Sequence, residues 1–192
     1  FLISLLIASN CYAFGTAGCD DKVVFLSHLD ISSGTSFSEE DCNGQGKKIL
    51  TANGNAQGTP LSKFGIGAYL GDGTGDSVST PDSPDWDFGT ADFTIDFWVY
   101  LEATGLYVPV DIGNGISGIG VAIQINSPTN VSLYMSTGEI VATAPTTSGQ
   151  YYHMAMVRYI DEEYFALDGV WVSVTNRDPT DITGVTDTMK IG

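Results

Sequence analysis

Lys63–Leu101, KFGIGAYLGDGTGDSVSTPDSPDWDFGTADFTIDFWVYL, decides the fold. Its second half alternates. In an extended chain Phe93, Ile95, Phe97, Val99 and Leu101 point to one side, and Thr94, Asp96, Trp98 and Tyr100 to the other. The first side is wholly apolar and must be covered by another layer. The second mixes a carboxylate with two aromatics and suits either packing or ligand contact. The half before it is turn-forming, with Gly71, Gly73, Gly75, Pro81 and Pro84 breaking any long element. The stretch also holds seven carboxylates and no basic residue after Lys63.

Outward from this stretch the chain continues as short apolar runs between turns. Strands are expected at Lys22–Leu29, Lys48–Ala52, Ile66–Leu70, Leu106–Ile112, Gly120–Ile125, Val131–Tyr134, Ile140–Thr143, Tyr151–Tyr159, Tyr164–Leu167 and Val170–Thr175. Ile31–Gly46 and Asn53–Pro60 read as loops, and Asp168-Gly169 as a two-residue hairpin turn. No segment keeps a helical period for three turns. Abundant Gly and few charged residues agree, so the expected fold is all-β, a two-sheet antiparallel sandwich or jelly roll. Residues 19–192 form one domain on this reading. Met189-Lys190-Ile191-Gly192 reads as the middle of a strand, and a further C-terminal strand is expected to be missing.

The formal net charge is −16, from 17 Asp and 6 Glu against seven Lys and Arg. That excludes nucleic acid as a partner, because counterion release needs cations on the protein. Phe1–Ala8 is an apolar run too short to cross a bilayer, and Cys11-Tyr12-Ala13 offers a small-x-small cleavage site. Residues 1–18 are therefore expected to act as a signal-peptide-like segment, with no membrane insertion of the mature chain. A first core strand is the alternative for the same run. Cleavage after Ala13 would leave Cys19 and Cys42, whose disulfide would close a loop worth ~3 kcal/mol in the chain-entropy model. Two free thiols are the alternative there. No Cys/His spacing suggests zinc.

Three groups of residues carry a family resemblance. Lys63-Phe64-Gly65 leads into Gly73-Thr74-Gly75-Asp76 and Ser79-Thr80-Pro81. Phe88-Gly89-Thr90 precedes Phe93-Thr94-Ile95-Asp96-Phe97-Trp98-Val99. Tyr152-His153-Met154-Ala155-Met156-Val157-Arg158 precedes Phe165-Ala166-Leu167-Asp168-Gly169. In order and spacing these resemble the laminin-G-like branch of the concanavalin A-like lectin/glucanase superfamily. The resemblance implies a jelly roll that serves as a non-catalytic recognition module for a glycan or a surface protein. It implies calcium near the sandwich rim, and a module within a longer multidomain protein. Such a protein is expected to be secreted or displayed on a cell surface, with a virion as the alternative.

The candidate chemistry is narrow. Asp72 and Asp76 flank turn glycines and are the preferred Ca2+ ligands, since calcium takes carboxylate and loop carbonyl oxygens. Trp98 and Tyr100 on the long strand, and Trp86 in the acidic loop, are the candidate ligand-binding aromatics. Glycoside hydrolysis needs two facing carboxyls, about 5–5.5 Å apart in retaining enzymes. Asp92 and Asp96 share a face but lie roughly 13 Å apart by strand rise. The glucanases' E-x-D-x-x-E strand motif is absent, so no catalytic residue is assigned. His153 alternates with Tyr151, Ala155 and Val157 and is expected to point into the sandwich. His28 is expected in the first strand.

Overall fold

The computed structural model describes residues 2–9, 23–39, 47–72, 74–116, 118–136, 138–175 and 181–192, with residues 2–9 and 175 described by backbone only. Among them run β1 (Leu2–Ser9), β2 (Val23–Ser27), β3 (Thr51–Asn53), β4 (Gln57–Thr59), β5 (Ala68–Leu70), β6 (Ser77–Thr80), β7 (Phe93–Leu101) and β8 (Leu106–Ile112). They are followed by β9 (Val121–Asn126), β10 (Asn130–Met135), β11 (Gly138–Ala142), β12 (Gln150–Tyr159), β13 (Glu162–Leu167), β14 (Val170–Val172), β15 (Val174–Thr175) and β16 (Met189–Ile191). One sheet has the order β14-β13-β12-β7-β1-β5-β4, with β2 also paired to β1. The other has the order β15-β11-β10-β9-β8-β16-β6-β3. The pairings are antiparallel, as the short turn-linked runs require.

The alternation of β7 is realised in full. Phe93, Ile95, Phe97, Val99 and Leu101 are buried and Thr94, Asp96, Trp98 and Tyr100 are half-buried. The inner set joins Val110, Ile112, Val121, Ile123, Ile125, Val131, Leu133 and Ile140 of the opposite sheet in one core. Each such side chain is worth about 1.5–3 kcal/mol by burial. The Asp168-Gly169 turn is also realised, both residues having positive φ (51° and 76°), as the tight hairpin needs.

The long strand β12 corrects the inward expectation for His153. Tyr152, Met154, Met156 and Arg158 face the core, and Tyr151, His153 and Val157 face outward. Both faces of this strand carry apolar residues, so its own periodicity does not decide. Its register on β7 does: Met154 lies opposite Phe97 and Met156 opposite Ile95, and partners share a face.

Register also sends Arg158 inside, where its guanidinium closes one end of the sandwich. Nε donates to the Ala91 carbonyl at 2.9 Å, and Nη2 to Gly89 O at 2.5 Å and Ala91 O at 2.7 Å. The guanidinium carbon lies 4.9 Å from the Phe93 ring centre, and buried Glu163 is its register partner on β13.

Smaller differences follow from edges. Gln57–Thr59, read as loop, forms β4 on β5, and Lys48–Ala52 is a strand only from Thr51. His28 lies just past β2 and is exposed. The Leu2–Ser9 backbone pairs with β7 from Leu2↔Tyr100 to Ser9↔Phe93, and on its other side with β2 and β5. That placement is the core-strand alternative for the apolar run. Residues 10–18 of the signal-like segment, Cys19 and Cys42 lie outside the described residues. Among the described residues no helix is long and apolar enough to cross a membrane.

The Arg158 closure predicts a large stability cost when it is cut. Arg158→Ala leaves the Ala91 and Gly89 carbonyls without their donor and Glu163 without its counter-charge, costing about 3 kcal/mol or more in urea unfolding. A loss below about 1 kcal/mol would contradict the assigned role.

Candidate functional site

The carboxylates of Lys63–Leu101 turn out to serve the backbone. Asp76 is buried, its two oxygens accepting from Asn55 N (2.8 Å) and Asp72 N (2.9 Å). Asp72 accepts from the Asn55 side-chain amide (3.1 Å) and from Thr74 N (2.9 Å), and these hydrogen bonds hold its carboxyl below its ordinary value. Asp87 accepts from Val185 N at 2.8 Å and Asp92 from Ile160 N at 2.8 Å. Asp85 meets Lys48 Nζ at 2.7 Å, and the same ammonium donates to Val24 O at 2.8 Å. The acidic stretch thus stitches distant segments together through N–H donors, which is how most of its charge is satisfied.

This bears on calcium. Four N–H groups already point at Asp72 and Asp76, and among the described residues no group of three or more His, Cys, Asp or Glu side chains is placed to hold a metal. Calcium takes six to eight oxygen ligands, roughly. As arranged, the residues present do not fit such a cage.

Trp86 does not offer a stacking face. It is fully buried, with Nε1 donating to Pro81 O at 3.3 Å, Phe25 edge-on at 6.1 Å and Lys48 Nζ over its ring at 5.1 Å. A short 3-10 turn, Pro84–Trp86, capped by Ser83, swings it into the core. Flanking aspartates suggested exposure; the cap and the Lys48–Asp85 pair explain why the indole lies beneath them.

Trp98 and Tyr100 behave differently, because the outer face of the first sheet gathers around them. Register places His153 opposite Trp98 and Tyr151 opposite Tyr100, with ring centres 5.1 Å and 5.0 Å apart. Small Ala155 lies opposite Asp96. His153 Nε2 lies 2.8 Å from Asp96 Oδ2, a partly buried pair. Burial raises the Asp96 carboxyl above its ordinary value, opposed by the His153 charge and hydrogen bond. A loop closes the rim: Phe64 stands edge-on to Trp98 at 5.5 Å, and Lys63 Nζ lies 4.7 Å from the Trp98 ring centre and 5.6 Å from that of Tyr151. Asp30 holds this loop by accepting from Ile66 N (2.6 Å) and Gly67 N (2.8 Å). Gly65, at φ +69°, passes so close to the Asp30 carboxylate that a Cβ would collide with it.

The patch therefore joins tilted and edge-on rings to a carboxylate–imidazole pair on two paired strands. His153, Tyr151 and Lys63 were not singled out as site residues from the sequence. The signal for the first two was the register of β12 on β7, which one strand's periodicity does not carry.

A two-sheet antiparallel sandwich with a ring-lined outer face is a lectin-like architecture. The profile of Laminin_G_3, described as the concanavalin A-like lectin/glucanases superfamily, matches residues 72–192, and the chain belongs to that family. No curated protein matches the sequence. Two solved structures share the fold. One is the binding domain of botulinum neurotoxin DC in complex with SialylT, at TM-score 0.57 and 12% identity, covering 85% of this chain and 42% of that one. The other, HCR/D-Sa-GBL1/C, gives TM-score 0.57 and 15% identity, covering 85% and 43%. The chain spans less than half the length of either.

Two outcomes follow from this site. A calcium site filled at a hundred times its Kd would add about 2.7 kcal/mol, or roughly 5–10 °C in Tm for a chain of this size. Millimolar calcium is expected to shift Tm by less than about 2 °C in differential scanning fluorimetry; a larger rise would assign an ion to the loop. Asp96→Asn tests the raised carboxyl. The folded protein favours the protonated acid, so ionisation costs stability above the ordinary pKa and costs nothing well below it. The variant's Tm relative to wild type is expected to rise between about pH 3 and neutrality. A relative fall would show that the His153 pair outweighs burial.

Proposed function

We propose that this chain is a non-catalytic carbohydrate-recognition module whose glycan lies on the outer face of the first sheet. The observation that carries the reading is the convergence of Trp98, Tyr100 and Tyr151 with the Asp96–His153 pair. Sugar rings have apolar faces and polar rims, and such a patch supplies aromatic surface beside donors and acceptors. A solved fold relative being a binding domain in complex with SialylT supports it in kind. Hydrolysis has less support. Asp96 is matched with an imidazole, and Asp92 on the same strand is spent on Ile160 N.

The alternative reading is a structural or adhesion domain of a virion or surface protein. The observation favouring it is edge strand β14, where Val170 (67% exposed) and Trp171 (64% exposed) offer apolar surface to a neighbour. Export to the cell surface or medium belongs to the same proposal. N-terminal sequencing of the mature protein decides the fate of the apolar run. A start beyond Ala13 supports export with cleavage, and retention of residues 2–9 supports their place as a strand.

The direct test is a glycan array with three variants. Trp98→Ala is expected to lose about tenfold or more in affinity, a loss of ~1.4 kcal/mol. Trp171→Ala is expected to bind as wild type does. If Trp171→Ala alone loses binding, the edge strand is the contact surface. Asp96→Asn is expected to weaken binding while keeping the fold, and equal binding by all three would remove the glycan reading.

A further inference from the structure

We propose that the glycan carries a carboxylate, and that Lys63 and the Tyr151 hydroxyl together anchor it at the rim of the Trp98 platform. The inference rests on the glycan reading above and names the ligand's chemical class and two residues that would select it.

Lys63 is unusual for this chain. It is the one Lys or Arg between Lys48 and Arg158, in a protein of net charge −16. Lys48 is matched by Asp85 and Glu39, Arg158 by backbone carbonyls, and Lys190 feels Asp111 opposite it on β8. Lys63 takes part in none of the described ion pairs; its ammonium rests over two aromatic rings instead. Ring contact uses the cation's field but leaves N–H donors for an acceptor. The loop carrying it is not free to wander, because Asp30 holds Ile66 N and Gly67 N and fits against Gly65. The charge is therefore presented at a set place.

Tyr151 supplies the second observation. Its ring lies under the Lys63 ammonium, and its hydroxyl oxygen is buried with no hydrogen-bond partner. A buried hydroxyl left unmet is costly, and native structures leave few. The Tyr100 ring centre lies 5.0 Å from that of Tyr151 and the Lys63 ammonium 5.6 Å from it, and neither residue gives the hydroxyl a hydrogen bond. One ligand group answers both residues at once. A carboxylate accepts from an ammonium and from a phenolic O–H, and charge-assisted bonds of this kind are the stronger ones. A neutral hydroxyl could meet Tyr151 but would leave the ammonium without a counter-charge. The net charge of −16, to which Asp96 of the platform contributes, repels an anionic sugar, so the Lys63 ammonium at the rim is the favourable landing point.

Sialic and uronic acids share this chemistry, and the test separates them. Wild type, Lys63→Ala, Lys63→Arg, Tyr151→Phe and Trp98→Ala would be titrated with sialyllactose and lactose, and with trigalacturonate and its carboxyl-reduced trisaccharide. Wild type is expected to prefer one acidic probe over its neutral counterpart by about tenfold. Lys63→Ala and Tyr151→Phe are each expected to remove most of that preference, read as the ratio of acidic to neutral affinity for each variant, and Lys63→Arg to keep it. Tyr151→Phe removes only an unmet hydroxyl, so its Tm is expected to equal or exceed that of wild type and the result does not depend on a damaged fold. Equal affinity for acidic and neutral partners, or no binding of either acidic probe, overturns the carboxylate assignment. If in that case Trp98→Ala still abolishes neutral-glycan binding, the platform reading stands. If Trp98→Ala changes nothing, that reading falls separately.

Discussion

Everything in this molecule depends on the dry face of β7. Five side chains from Phe93 to Leu101 leave water on one side of a single strand, and that side must be covered by the opposite sheet. Once it is, the register of β12 follows: partners on antiparallel strands share a face, so Tyr152, Met154 and Met156 turn inward with it. The outer face is then fixed by exclusion. Trp98, Tyr100, Tyr151 and His153 stand together because core packing placed the alternate residues elsewhere. The candidate site is the remainder of a folding constraint, carried on the same two strands as the core beneath it.

The second organising feature is how an acidic chain satisfies its charge. With few cations, the carboxylates find backbone N–H groups, and several of these bonds join segments far apart in sequence. Asp76 ties the 72–76 turn to Asn55, Asp87 reaches Val185, Asp92 reaches Ile160 and Asp30 reaches the 66–67 backbone. Asp is suited to this work, being short enough to cap a turn without long side-chain entropy. The acid excess of Lys63–Leu101 is mostly a loop-fastening device. Lys63 stands out against this background because it takes part in none of the described ion pairs and lies over aromatic rings instead.

The sheet architecture was legible in the sequence for a physical reason. A fully apolar alternate set admits one interpretation, and turn residues punctuate the strands on either side. The family motifs around Phe93–Val99 and Tyr152–Arg158 added order and partners. Trp98 and Tyr100 were legible as outward residues from the same alternation. His153 was not, because β12 carries apolar residues on both faces and only its pairing with β7 breaks the tie. Trp86 misled through its neighbours. Two flanking aspartates look like a wet loop, but the cap at Ser83 and the Lys48–Asp85 pair bury the indole; the cap is local, whereas the pair joins residues far apart in sequence and is not read from spacing. Arg158 hid in the same way: a cation in a strand suggests solvent, and only the three-dimensional approach of the 88–91 carbonyls makes the interior acceptable to it.

The three tryptophans allow one direct measurement of the central claim. Trp86 lies in the core, Trp171 on the edge strand and Trp98 on the platform, so a fluorotryptophan label reports all three places in one fluorine NMR spectrum. On titration with the best glycan from the array, the account predicts a shift of the Trp98 resonance that saturates with binding, while Trp86 and Trp171 stay in place. A saturating shift at Trp171 with Trp98 unmoved would contradict it and place recognition on the edge of the sheet.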